Sequence, residues 1–357
     1  MKQRAKELDF LRGIAILLVM LRHSNLSALT TQVGWIGVDL FFVLSGFLVS
    51  GILFSEYKKN GTIKPLHFLI RRGFKIYPLF FVVLFLHVFY FLWKDIPLYG
   101  NMILPEIFFY QNYVPGIMGI SWSLAIEEHF YFSLSIALFI VSIKKKMAKV
   151  SMIPLACGII AVICLVLRII VNIQVKPFDP YIHFFPTHLR IDSLAFGVLI
   201  SWFYHFTRDW LYITVHKLRY FSLVALPLLF CPVFVWQPES TIITTWGFTF
   251  LYLGFGIILA LMTVYSEKIK SWLKRLHLLL FFNTIAWVGV YSYSIYLVHL
   301  KAGPILSNLF TENIFAQAPH LLVVTLFLFF NILSGYILSL IIEQPFLRFR
   351  DKYFPRK

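Results

Sequence analysis

The feature that most constrains the fold of this chain is a series of about ten apolar stretches, each roughly 18 residues or longer. A helix of that length crosses about 30 Å of hydrocarbon, and only helices or closed barrels satisfy their backbone polar groups in lipid. Only 13% of the residues are charged, whereas about a quarter of a soluble protein is charged. The sequence therefore predicts an all-α polytopic membrane protein with about ten transmembrane helices, and it argues against a soluble globular protein.

The predicted spans follow one another with short connections and no Gly/Ser linker, repeat or low-complexity tract between them. They lie at residues 10–30, 34–54, 74–93, 121–143, 150–173, 187–206, 218–236, 244–265, 283–303 and 320–342, to within a few residues. We therefore predict that residues 1–357 form a single transmembrane domain. Arg12, Arg22 and His23 interrupt the first apolar run, which is thus predicted to be a retained helix and not a cleaved signal.

The positive charges predict the orientation of the chain. Lys and Arg number 32, and 25 of them fall in segments on the side of the N-terminus, against three on the opposite side. Because cytoplasmic segments are enriched in Lys and Arg, we expect both termini in the cytoplasm. Topology thus explains most of the net charge of +16, and no nucleic-acid partner is expected. The three cysteines lie inside predicted spans without metal-binding spacing, so neither a disulfide nor a metal is expected.

Ionisable side chains inside spans are costly and by default mark a function or a buried pair. Arg12 and His23 are eleven residues apart on the first span, about 20° past three full turns. They therefore share one helix face and lie about 16 Å apart along the axis.

Other spans bring polar side chains to the depth of His23, on the side away from the N-terminus. These residues are Asp39, Trp122, Ser123, Glu127, Glu128, His188, Arg190, Asp192, Tyr293, Tyr296 and His299. Ser123, Glu127 and Tyr131 are spaced i, i+4 and i+8, so they are predicted to form one stripe, with Glu128 turned by about 100°.

A second polar group lies on the side of the N-terminus. Arg71, Arg72 and Lys75 stand just before the third span, where cations at a helix N-terminus are suited to bind phosphates. These cations also fit a role as topology charges alone. Arg190 and Asp192 also fit a structural role. Residues i and i+2 of a helix point to opposite sides, so in that role each needs an ion-pair partner on another helix. A histidine inside a span is often only a helix–helix hydrogen-bond partner.

Seven segments of the sequence carry a recognisable set of motifs in a fixed order. They are LDFLRGIAILLVMLRH (8–23), GVDLFFVLSGFL (37–48), RRGFKIYP (71–78), WSLAIEEHFY (122–131), RIDSLAFG (190–197), YSYSIYLVH (291–299) and EQP (343–345). In these segments the chain resembles the acyltransferase-3 family of membrane O-acyltransferases, from residue 8 to residue 345.

The resemblance implies ten membrane helices and the transfer of an acyl group, usually acetyl from cytoplasmic acetyl-CoA, to a sugar hydroxyl of a bacterial surface glycan. The family's Arg-ten residues-His signature falls on Arg12 and His23, and the histidine is regarded as central to catalysis. The family's Arg-x-x-Arg motif, thought to hold the CoA phosphates, falls on Arg72 and Lys75. Because lysine lacks the bidentate fork of arginine, we expect Arg71 and Arg72 to be better phosphate ligands than Lys75.

The expected chemistry requires a base, because a sugar hydroxyl is a poor nucleophile at neutral pH. His23 is the candidate base, and Asp39, Glu127 or Glu128 is its candidate carboxylate partner. Ser123, Trp122 or Arg190 is a candidate donor to the oxyanion, and an acetylated histidine intermediate stays open. We expect the acceptor to contact Trp122, Arg190, Asp192, Tyr293 and His299.

The acceptor is expected to be lipopolysaccharide O-antigen, at the bacterial inner membrane, with capsule, exopolysaccharide, peptidoglycan and macrolides as open alternatives. Some family members carry an extra soluble esterase-like domain, which is not expected in this chain. A transporter or flippase for a glycan or an acyl carrier is the main alternative, since acids and histidines at mid-depth also build substrate pathways. A purely structural membrane partner is the third.

Overall fold

The structure, a computed structural model, describes residues 5–24, 26–143, 147–300 and 319–355. This described part of the chain is built of helices and contains no β-strand, so the all-α prediction is confirmed. Several of the predicted topology charges lie outside the described residues: Lys2, Arg4, Lys144, Lys145, Lys146, Lys301, Arg356 and Lys357.

Sixteen α-helices are described, and short π-helical turns at Ile243–Gly247 and Ser339–Glu343 lead into α11 and α16. The helices are α1 Lys6–Arg22, α2 Ala28–Val33, α3 Ile36–Asn60, α4 Pro65–Trp93, α5 Gly100–Ile107, α6 Trp122–Ile143, α7 Ile153–Gln174, α8 Pro180–His183, α9 Thr187–Phe206, α10 Arg208–Val235, α11 Phe248–Val264, α12 Ser266–Arg275, α13 Leu279–Val290, α14 Ser292–Val298, α15 His320–Leu338 and α16 Gln344–Tyr353.

Each long apolar helix overlaps a predicted span, but three predicted bounds are wrong: the helix of the first span ends at Arg22 and not at residue 30, and α4 and α10 begin at Pro65 and Arg208 and not at residues 74 and 218. Within the described residues, seven helices are long and apolar enough to cross a membrane, and the pair α13 and α14, bent by 62°, makes an eighth. The other two predicted spans correspond to α1, which has 17 residues, and to α9, which carries Arg190 and Asp192. A polytopic helical membrane protein is thus confirmed.

The two less apolar helices lie at the centre of the bundle. Helix α9 packs against α3 and α7, and α1 packs against α3 and α13. Glycines let the backbones of α1 and α13 touch: a Cβ atom on Gly289 would lie 1.8 Å from the carbonyl oxygen of Asp9, and one on Gly13 would lie 2.0 Å from that of Ile285. Close approach through small residues is the usual way in which membrane helices associate.

Candidate active site

A cavity of about 90 Å³ lies between α1, α3, α4, α6 and the bent pair α13 and α14. Its polar lining residues are Arg12, Ser45, Arg72, Lys75, Ser123, Glu127, Ser292, Tyr293 and Tyr296. Three of these side chains are cations and one is a carboxylate, so the lining carries a formal charge of +2. A cavity inside a helical bundle with this charge is suited to an anionic ligand.

One wall of the cavity is a hydrogen-bonded network centred on Tyr131, which is fully buried. Arg72 Nη2 donates to the Tyr131 hydroxyl at 2.5 Å, and that hydroxyl donates to Glu127 Oε2 at 2.5 Å. The Arg72 guanidinium also lies 4.3 Å from the centroid of the Tyr131 ring. A phenol therefore joins the cation to the carboxylate.

The spacing of the polar residues along α6 predicts this wall correctly. Ser123 and Glu127 line the cavity, and Tyr131 continues the same stripe through its bond to Glu127. Glu128 points to another side of α6, where its Oε2 atom accepts a hydrogen bond from the Tyr77 hydroxyl at 2.8 Å. The predicted stripe, with Glu128 turned away from it, is confirmed.

Two tyrosines of α14 close the cavity. The Tyr296 hydroxyl donates to the carbonyl oxygen of Ile120 at 2.6 Å, so it accepts from Ser123 Oγ, 2.7 Å away. The Tyr293 hydroxyl donates to the carbonyl oxygen of Ile76 at 2.6 Å and ties α14 to α4. Both tyrosines therefore bond a neighbouring backbone carbonyl through the hydroxyl and line the cavity.

Two histidines meet at the end of α1 that lies away from the N-terminus. The centroids of the His23 and His299 rings are 5.2 Å apart, with 48° between the ring planes. His299 is buried, whereas His23 is exposed and does not line the cavity. Within the described residues the His23 ring makes no hydrogen bond. Arg12 lines the cavity, and His23 contacts His299, the residue after α14. The face of α1 that Arg12 and His23 share is therefore directed toward α14.

Asp39 and Arg190 form a buried ion pair, which corrects two expectations. Arg190 Nη2 lies 2.8 Å from Asp39 Oδ1, and the exposed fraction of each side chain is 0%. The Arg190 guanidinium also lies 3.7 Å from the centroid of the Phe248 ring. Asp39 is therefore placed against Arg190 and not against His23, and neither residue of this pair lines the cavity.

Asp192 is enclosed in the same way. Its Oδ2 atom lies 2.8 Å from Arg168 Nη1, and both side chains are 0% exposed. The inference that Arg190 and Asp192 each need a partner on another helix is confirmed, and each side chain is occupied by its ion pair. Trp122 stacks on Phe185 at 4.4 Å between ring centroids and does not line the cavity.

The cations of α4 divide between two roles. Arg71 Nη2 lies 2.8 Å from Asp351 Oδ1, and Arg71 Nη1 donates to the carbonyl oxygen of Phe354, so Arg71 ties α4 to the C-terminal helix α16. Arg72 and Lys75 line the cavity instead. All three cations lie inside α4, which begins at Pro65, so their expected position at a helix N-terminus is wrong. Adjacent helical residues point about 100° apart, while residues three apart share a face. The expected preference for Arg71 over Lys75 is therefore reversed by the geometry.

Glu106 is a buried acid that the sequence reasoning missed. Its Oε2 atom accepts from Ser121 Oγ at 2.5 Å and its Oε1 atom from the Met118 amide at 3.0 Å. Burial raises the pKa of the Glu106 carboxyl above its ordinary value, and the two hydrogen bonds act in the opposite direction. These bonds fix the loop that leads into α6 and so position Ser123. A single acid in the apolar segment ILPEIFF was the available signal.

Metal ligands are not clustered in this part of the chain. Across the described ranges, no group of three or more His, Cys, Asp or Glu residues could hold a metal ion.

Fold and site together define a membrane-embedded helical protein with a cation-lined internal cavity. The chain belongs to the acyltransferase-3 family: the family model described as "Acyltransferase domain" matches residues 5–341. No solved structure matches the chain.

Three relatives of known name are similar to this chain. Peptidoglycan O-acetyltransferase OatA of Listeria monocytogenes is 25% identical over 82% of this chain and 48% of its own length. A protein of Staphylococcus aureus provisionally named O-acetyltransferase SAR0937 is 27% identical over 98% of this chain and 59% of its own length. YrhL of Bacillus subtilis, provisionally named a peptidoglycan O-acetyltransferase, is 25% identical over 82% of this chain and 47% of its own length. The chain thus spans about half the length of the relatives that it matches.

Proposed function

We propose that this chain transfers an acetyl group from acetyl-CoA to a hydroxyl of a cell-envelope glycan. The observation that carries the proposal is the placement of two groups along α1. Arg12 lines the cation-rich cavity near one end of the helix, and the His23 and His299 rings contact each other at the other end. Membership in the acyltransferase family supports acyl transfer, and the names of the relatives support acetyl as the acyl group and a glycan as the acceptor.

The donor binds at the cations. Coenzyme A carries several phosphate charges, which the net positive lining of Arg12, Arg72 and Lys75 attracts. The family's CoA-phosphate motif falls on Arg72 and Lys75, and both line the cavity. Because the Lys and Arg bias favours a cytoplasmic N-terminal side, we propose that acetyl-CoA enters from there and that the protein lies in the bacterial inner membrane.

The reaction takes place between the cavity and His23. The acceptor oxygen attacks the thioester carbonyl while His23 takes the hydroxyl proton, the carbon–sulfur bond then breaks, and the thiolate takes up a proton. The pantetheine arm spans the distance from Arg12 toward His23, about 16 Å along α1. We give Ser123, whose side chain lines the cavity, the role of hydroxyl donor to the developing oxyanion, for which its O–H turns from the Tyr296 hydroxyl to the substrate.

The acceptor that we propose first is peptidoglycan. Two of the relatives are named for peptidoglycan O-acetylation, and none of the three is named for lipopolysaccharide. The O-antigen expected from the sequence therefore becomes the second acceptor to test. The matched region covers only 47% to 59% of each relative's length, so the acceptor is best identified by direct assay.

The test is the transfer of labelled acetyl from acetyl-CoA to an alkali-labile ester on purified peptidoglycan or lipopolysaccharide, in membranes that contain the protein. We expect transfer by the wild type and a loss of about 10²-fold or more in His23→Ala, the range for removal of a general base. His205→Ala is the matched control, because His205 bonds Ser55 Oγ and the carbonyl oxygen of Ser201 and does not line the cavity. A folded wild-type protein that labels no glycan would favour the transporter or flippase.

A further inference from the structure

We propose that His299 is a positioning residue for His23 and the second member of a two-imidazole proton relay. In this relay His299 accepts a proton from one nitrogen of His23 while the other nitrogen of His23 takes the proton of the acceptor hydroxyl. The role in acetyl transfer rests on the proposed function, whereas the hydrogen-bonded contact between the rings does not.

A backbone hydrogen bond fixes the tautomer of His299. Its Nδ1 atom lies 2.7 Å from the carbonyl oxygen of Tyr296. A carbonyl oxygen only accepts, so Nδ1 carries the proton and Nε2 of the neutral ring has a free lone pair. The residue is 1% exposed, and within the described part of the chain Nε2 has no hydrogen-bond partner. A buried acceptor without a partner is uncommon and calls for an explanation.

The reach of His23 follows from the separation of the two rings. At a centroid separation of 5.2 Å, one nitrogen of each ring comes within hydrogen-bond distance, about 2.9 Å, when the two nitrogens face each other. His23 lies just past the last residue of α1, is exposed, and forms no ring hydrogen bond with the described residues. The ring separation therefore leaves room for a hydrogen bond between a nitrogen of His23 and the unpartnered Nε2 atom of His299.

Within the described structure, no hydrogen bond or ion pair joins His23 to a carboxylate. The three carboxylates that were candidates for this place are bonded elsewhere: Asp39 to Arg190, Glu127 to Tyr131, and Glu128 to Tyr77. A catalytic imidazole normally has a partner that fixes its tautomer and stabilises its charged form. His299 occupies that position.

The relay also connects with the cavity. The His299 ring packs on the Tyr296 ring at 5.6 Å between centroids, and the Tyr296 hydroxyl reaches Ser123. Protons balance in the transfer: the hydroxyl proton moves to His23, a proton of His23 moves to His299, and after cleavage of the carbon–sulfur bond the thiolate receives one proton as the relay returns to its initial state. No further co-reactant is required.

The test compares His299→Asn with His299→Ala. The asparagine amide can still donate to the carbonyl oxygen of Tyr296, so it keeps the structural bond and removes the Nε2 base, whereas alanine removes both. His87→Asn is the matched control, since His87 is buried and its Nδ1 atom lies 2.8 Å from the carbonyl oxygen of Val83. Folding of each variant is checked by size-exclusion chromatography in detergent.

Two readouts are taken. The first is the rate at which diethylpyrocarbonate modifies His23 in membranes, measured by mass spectrometry, which needs no enzymatic activity. The second is the turnover number for acetyl transfer. We expect His299→Asn to slow the modification of His23 severalfold and to lower turnover about 10²-fold with little change in KM for acetyl-CoA, while His87→Asn changes neither.

Each outcome separates the relay from the proposed function. An unchanged rate of His23 modification in folded His299→Asn would overturn the relay, whether or not the protein transfers acetyl groups. Normal turnover in His299→Asn alongside loss in His299→Ala would also overturn it, because His299 would then serve only the bond to Tyr296. A wild type without transfer would refute the proposed function, and the modification rates would still decide whether the two rings are coupled.

Discussion

Replacing Arg190 by methionine tests whether the buried pair with Asp39 serves the fold or the acceptor. The substitution leaves the Asp39 carboxylate in a place where its exposed fraction is 0%. It also removes the cation from the face of the Phe248 ring, 3.7 Å away. Methionine is unbranched and apolar, so it fills much of the space without introducing a new charge.

The expected cost follows from the burial of both partners. Removing one partner of a buried ion pair destabilises a protein by about 3–5 kcal/mol, because the other charge is left uncompensated. Replacing both partners by apolar residues is often close to neutral. We therefore expect Asp39→Leu combined with Arg190→Met to recover at least half of the loss caused by Arg190→Met alone.

The assay is the free energy of unfolding in detergent, followed by tryptophan fluorescence during titration with SDS. Glu267→Gln is the control, because Glu267 forms an ion pair with Lys270 while 84% of its side chain is exposed. An exposed pair contributes about 0–1 kcal/mol, so this variant should unfold close to the wild-type midpoint. Wild-type stability of Arg190→Met, or a double variant no more stable than the single one, would refute the structural role and return Arg190 to the acceptor site.

Three further results are expected. Gly289→Ala should prevent stable folding, because its Cβ atom would lie 1.8 Å from a backbone oxygen of α1, while Gly158→Ala, with nothing within 4 Å, should keep the wild-type yield in size-exclusion chromatography. Arg71→Ala should leave KM for acetyl-CoA unchanged and lower the unfolding midpoint, whereas Arg72→Ala should raise that KM more than it lowers turnover. A higher KM in Arg71→Ala would contradict the assignment of Arg71 to the fold and Arg72 to the donor. Tyr131→Phe should lower turnover about 10-fold or more with a normal yield, since it breaks the bridge to Arg72, and full activity would show that the phenol is dispensable.

Much of the fold follows from the sequence because membrane helices are set by length and hydrophobicity alone. Every predicted span overlaps a helix of the structure. Two of these helices, α1 and α9, fall below the usual length or hydrophobicity of a membrane span and pack against neighbouring helices. Helical spacing also predicts which side chains of α6 share a face. The same spacing shows that Arg190 and Asp192 need separate partners.

The partners themselves could not be predicted, because they depend on how helices distant in sequence pack together. Asp39 is 151 residues from Arg190, and Arg71 is 280 residues from Asp351. Helix spacing did contain one unused clue: Arg72 and Lys75 share a face, whereas Arg71 and Arg72 do not. Judging the cations by hydrogen-bonding capacity alone therefore ranked Arg71 above Lys75, although Lys75 lines the cavity and Arg71 does not.

The bend between α13 and α14 explains why the cavity and the imidazole pair can belong to one site. The helix breaks at Tyr291, and the residues on both sides of the break, Val290 and Ser292, line the cavity. Irregular backbone at membrane depth is tolerated where it lines a cavity or is buried in protein. The bend directs Tyr296 of α14 to the cavity, and His299, the residue after the helix, contacts His23. In the proposed reaction, the break therefore lets α14 and the residue after it serve both substrates: Tyr296 lies at the donor cavity, and His299 lies beside the base His23 that acts on the acceptor.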